Sequence, residues 1–116
     1  MPNETNSLYL QCCYTYIENG GVVYSKEVTI ELEGVTNRFD FVGKQDNLLY
    51  LYEVKNGPSA RMTINQRINI PKMQQYKPSF WPKGKNALKI PEFRFSIINN
   101  QPYGGDYIVI YKHYID

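Results

Sequence analysis

Along most of this chain, apolar and polar residues alternate with the period of two that marks half-buried strands. Leu8 to Ile17 and Val22 to Leu32 alternate imperfectly, and Asn19-Gly20-Gly21 between them is a strong turn signal, so a hairpin is expected. Arg38 to Val42 and Leu48 to Lys55 predict a second strand pair around the polar loop Gly43 to Asn47, after a break at Gly34 to Asn37. Asn56-Gly57-Pro58-Ser59 stops the last of these strands. Thr63-Ile64-Asn65-Gln66 has the form of a capping box, so a helix is expected to start there; Pro71 either ends it near Ile70 or leaves it kinked towards Tyr76. Pro78, Pro82, Gly84 and Pro91 make the next stretch largely loop, and Phe93 to Ile98 and Tyr107 to Tyr114 read as two closing strands around Asn99 to Gly105. The pattern predicts a mixed α/β chain of the α+β kind, with a central mixed or antiparallel sheet and few helices.

Composition narrows this picture. With 116 residues, 42% of them hydrophobic, the chain is read as one domain over 1–116 with a real core, and its 11 tyrosines favour strands. No apolar run approaches the roughly 20 residues that cross a bilayer, and Met1 to Ser7 lacks the apolar core of a secretory signal, so a soluble chain without a membrane segment is expected. Cys12 and Cys13, neighbours on an expected strand, would point to opposite faces and read as reduced thiols; metal ligation is the weaker alternative, because His113 is the single histidine and has no identifiable partner. Net charge is only +2, but it is unevenly distributed. Residues 1–54 hold three basic side chains against eight acidic ones, and residues 55–94 hold nine basic side chains against Glu92 alone. An acidic half followed by a cationic half suits an enzyme that holds a metal ion and acts on a polyanion, although a solvated basic surface would give the same count.

The chemistry is concentrated in Asp40 and in the run Glu53-Val54-Lys55. On an extended strand Glu53 and Lys55 share a face, while Tyr50, Tyr52 and Val54 take the other. Any antiparallel register whose paired numbers add to an odd value brings Asp40 to the face of Glu53; an even register separates them. Two carboxylates with open positions suit Mg²⁺ or Mn²⁺, and Lys55, one strand step on, can orient a water or neutralise charge on phosphorus. Taken alone, the Glu-x-Lys pattern carries little weight and reads more readily as a surface ion pair on an edge strand with Asp40 solvated. Thr29, Glu31 and Glu33 alternate with Val28, Ile30 and Leu32 and so mark a solvated strand face, with Glu31 the weaker candidate for a further metal ligand.

The longer order, Asp40, then Glu53-Val54-Lys55, Gly57, Ala60-Arg61, Thr63 and Asn65-Gln66, resembles the PD-(D/E)XK nuclease superfamily over Arg38 to about Tyr76. It is most similar to the restriction-endonuclease-like toxin domains at the C-termini of bacterial polymorphic and contact-dependent toxins. The resemblance implies a restriction-endonuclease-like core. It implies that Asp40, Glu53 and the Val54 carbonyl bind the divalent ion, that Lys55 acts on the attacking water and that Gln66 lies near the site. On this resemblance Asn56 and Ser59 would flank the scissile phosphate, although a strand-ending turn explains them equally well; Arg38, Arg61, Arg67 and Lys72 are further candidates for contact with a DNA or tRNA substrate, with Arg61 reading equally as free in solvent. Further implications are secretion as part of a larger toxin, action in the target-cell cytoplasm and a cognate immunity protein. Two departures stand out: Phe39 replaces the eponymous proline, and the segment before the Asp strand, where the superfamily carries a helix, reads here as strands. Gln66 also reads as the capping partner of Thr63, and Trp81 reads as packing the long loop or as stacking on a base. The competing readings are a housekeeping repair or restriction nuclease, a catalytically silent nucleic-acid-binding module, and a tyrosine-rich structural domain.

Overall fold

The computed structural model describes residues 4–114, with side chains from residue 11 onward. The elements run α1 (Glu4–Glu18), β1 (Val22–Leu32), β2 (Val35–Gln45), β3 (Leu48–Asn56), α2 (Ile64–Tyr76), β4 (Trp81–Lys83), a 3-10 turn at Ala87–Lys89, α3 (Pro91–Ile98) and β5 (Tyr107–Tyr114). The five strands form one mixed sheet in the order β4-β1-β2-β3-β5, parallel only between β3 and β5. This is the mixed α+β architecture the pattern predicts. Among the described residues no helix is long and apolar enough to cross a membrane.

Four strands hold where they were expected, and two others are replaced by helices. The run Leu8 to Ile17 belongs to α1, so the first hairpin does not form. Helical spacing explains why: Cys12, Cys13 and Tyr16 stand one and four residues apart and fall on one buried side, against Phe41 and Val54, whereas Tyr14 and Ile17 stay exposed. The two cysteines therefore share a helix side, and they are not joined in a disulfide. Similarly, Phe93 to Ile98 lies in α3. Pro91 occupies its first turn, where a missing N–H costs nothing, and Phe93 and Ser96 are buried while Phe95 is exposed, a spacing no strand would give. Helix α2 runs through Pro71 to Tyr76 because Ile70 and Met73, on either side of the proline, are both fully buried. The expected loops shrink as well. The Asp46-Asn47 turn, with both φ positive, lets β2 run on to Gln45, and Glu33-Gly34 turns the chain directly from β1 into β2.

The sheet is covered on both faces. Helices α2 and α3 pack over Val28, Ile30, Leu32, Phe39, Leu51 and Tyr107, whereas α1 covers Phe41 and Val54 with a cluster of tyrosines. Within the second cluster Phe41 stacks on Tyr52 at 4.4 Å, and the ring of Tyr16 lies so close to Gly43 that a side chain there would collide with it.

Candidate active site

In β2 the alternation breaks at Asp40. Phe39 packs into the α2 and α3 core, but Phe41, two residues on, packs under α1. On β1 the matching irregularity is Glu27, between the pairs Lys26 with Phe41 and Val28 with Phe39, which adopts a left-handed φ of 52°. On its other side β2 pairs with β3 through Phe41 with Tyr52 and Val42 with Leu51, an odd register, and the ladder stops there. Beyond this point β2 and β3 part, and the carboxylate of Asp40 takes the next β3 amide: Val54 N donates to Asp40 Oδ2 at 2.7 Å. The odd register thus holds Asp40 beside Glu53.

The gap between the parted strands is a cleft of about 780 Å³ whose lining includes Asp40, Glu53, Lys55, Asn56, Arg38 and Gln66. Its third wall is the start of α2. Asn65 Nδ2 donates to Thr36 O and Asn69 Nδ2 to Val35 O, each at 2.9 Å, and so fix the helix to the first residues of β2. Thr63 and Gln66 close the capping box: Gln66 N donates to Thr63 Oγ1 at 3.1 Å and Thr63 N to Gln66 Oε1 at 2.9 Å. The remaining end of the same amide, Gln66 Nε2, donates to Glu53 Oε2 at 2.6 Å. The capping and site readings of Gln66 are therefore both met by one side chain.

Glu53 is the electrostatic centre of the cleft. Only 4% of its surface is exposed, yet its Oε2 also accepts from Lys55 Nζ at 3.1 Å. Burial raises its pKa from the ordinary 4.5 to about 7, reinforced by the adjoining Asp40 carboxylate and opposed by Lys55. At neutral pH the pair therefore holds either a proton or a positive partner. Among the described residues no group of three or more His, Cys, Asp or Glu gathers, so the acidic donors here are these two carboxylates. An all-oxygen pair that leaves most positions to water and substrate fits Mg²⁺ or Mn²⁺ better than a cation needing a closed cage.

Several expected residues lie elsewhere. Glu31 pairs with Thr36 and Trp81 along the sheet and does not line the cleft. Arg61 Nη1 donates to Pro58 O at 2.7 Å, tying its own loop, and Lys72 pairs with Glu33 at 3.2 Å on the surface. Ser59 and Arg67 are exposed and outside the lining. Of the nine cations in residues 55–94 only Lys55 lines the cleft, so the charge asymmetry of the sequence does not become a cationic groove at the site. His113 bonds the Gly57 carbonyl at 2.8 Å, a contact no sequence feature announced, and Trp81 sits in edge strand β4 with Lys83 Nζ 5.6 Å from its ring. Thr36, Asn37 and Ile64 are cleft residues that the sequence did not single out; Asn37 is buried, its amide 3.0 Å from that of Asn69.

Because Gln66 serves helix and carboxylate together, Gln66→Ala is expected to lower stability by about 1–2 kcal/mol, as a buried acceptor loses its donor. Gln66→Glu, which keeps the capping acceptor but sets another carboxylate against Glu53, should cost more, and urea titration of both variants measures the difference. Comparisons with family models, curated proteins and solved structures yield no match to this chain, so its functional reading is carried by the geometry of this cleft.

Proposed function

We propose that this chain is a metal-dependent nuclease that hydrolyses phosphodiester bonds in DNA or in a structured RNA such as tRNA. The observation that carries the reading is the convergence, where β2 and β3 part, of Asp40, Glu53 and Lys55 with the amide of Gln66. The helix α1 that precedes the Asp strand adds support, since its apparent absence was the larger departure from the PD-(D/E)XK pattern. Asp40 and Glu53, with the Val54 carbonyl, would hold Mg²⁺ or Mn²⁺. Once bound, such an ion supplies Lewis-acid polarisation of the phosphoryl oxygen and a water of lowered pKa. The protein's own groups do the rest. Val54 N fixes the Asp40 carboxylate, and Gln66 Nε2 fixes that of Glu53. Lys55, an ammonium on the cleft wall, orients the attacking water and offsets the negative charge that builds on the phosphorus oxygens. Arg38 and Asn56, on the same lining, would hold flanking phosphates.

Incubation of the purified chain with plasmid, genomic DNA and total tRNA in parallel tests this. Cleavage is expected with Mg²⁺ or Mn²⁺ and not with EDTA, and Asp40→Asn should abolish it; undiminished cleavage by that variant would sink the assignment. The likeness to toxin domains extends the proposal to an effector carried by a larger secreted protein and neutralised by an immunity protein. Expression without such a partner should then arrest growth in a manner that depends on Asp40.

A further inference from the structure

Ile64 is the first residue of α2, lines the cleft beside the carboxylates, and is 74% exposed. Folding gives no reason for an isoleucine there. A β-branched residue is a weak choice in a helix, the capping box is closed by its neighbours Thr63 and Gln66, and Ile64 belongs to neither core cluster. One turn on, Ile68 is 41% exposed on the same helix. Between them stands exposed Arg67, and across the cleft exposed Arg38; neither forms an ion pair among the described residues. An apolar ridge flanked by available cations, continuous with a cleft that holds carboxylates and an ammonium, matches a polyanion with flat apolar groups at regular spacing.

Resting on the nuclease reading, we propose that Ile64, backed by Ile68, is a specificity-determining residue that packs against the nucleobase next to the scissile phosphate, so that the site selects base-bearing strands with an unstacked or distortable step. Aliphatic side chains that enter a base step in this way exchange water for base surface on the residue while prising the stack open.

The test compares two oligonucleotides of equal length, one carrying bases and one built wholly of abasic units, cut by the full chain with Mn²⁺. The native protein is expected to prefer the base-bearing strand. Ile64→Ser should shrink that preference about tenfold, the factor that burying one aliphatic side chain is worth, mostly through KM, with cleavage of the abasic strand unchanged. Ile64→Met should restore most of it, and unaltered thermal unfolding of both variants separates the effect from misfolding. An unchanged preference in Ile64→Ser overturns the inference while leaving the nuclease reading intact, as does a variant that loses only its affinity for a protein partner. If the native protein cuts neither strand, the nuclease reading fails and takes this inference with it.

Discussion

Glu53→Gln is expected to abolish cleavage and to stabilise the protein. The activity loss should be on the order of a thousandfold or more, since one of the two carboxylates proposed to hold the cation disappears while shape and the acceptor for Gln66 remain. The stability gain follows from the raised pKa. In the folded chain Glu53 binds its proton up to about pH 7, whereas the unfolded chain releases it near 4.5, so the contribution of this group is fully present below pH 4.5 and is lost as pH rises towards 7. Above that pH the native state carries an ionised, nearly inaccessible carboxylate beside Asp40; glutamine carries none. In metal-free buffer the native protein should therefore lose stability between about pH 4.5 and 7 relative to Glu53→Gln, and be the less stable of the two at pH 8. Urea midpoints measured across that range decide it, and parallel curves for the two proteins would refute the assignment of the buried charge.

Lys55→Met should also lower cleavage by about a hundredfold to a thousandfold, the usual effect of removing a group that stabilises developing charge. Its second consequence distinguishes a site residue from a surface one. Lys55 is the group that draws the pKa of Glu53 down, by hydrogen bond and by charge; without it the carboxyl titrates above 7. Since Glu53 must be ionised to bind a cation, Mn²⁺ affinity should rise with pH through about 7 in the native protein and at higher pH in Lys55→Met. Calorimetric titration at several pH values measures the displacement. A midpoint that does not move would mean that Lys55 acts on something other than Glu53.

How much of this was legible before the structure depends on the distance over which each residue finds its partners. Thr63 and Gln66 satisfy each other within three residues, so the start of α2 was plain in the sequence; the strand period showed that an odd register would set Asp40 beside Glu53, but the choice of that register is seen only in the folded sheet. The run from Leu8 to Ile17 was misread because Tyr, Cys and Ile favour strands in isolation, and its helix is selected by what Tyr16 meets far along the chain, the rings of Phe41, Tyr50 and Tyr52. For α3 a local signal existed, Pro91 at a helix start, but the alternation of Phe93 and Phe95 obscured it. The partition of cations could not be read at all: Lys44 meets Glu92 and Lys72 meets Glu33 only after folding, which leaves Lys55 at the carboxylates. Nor could the irregularity at Asp40, because it needs β1 to twist at Glu27 in step with β2.

One glutamine joins the first turn of α2 to the buried acid of β3. Helix ends are where native proteins open first, long before they unfold globally, and each such excursion here withdraws the amide from the carboxylate. Amide hydrogen exchange at Gln66 and Arg67 consequently reports the fraction of time Gln66 is held against Glu53, and any molecule that clamps this turn tightens the proposed site without touching either acid.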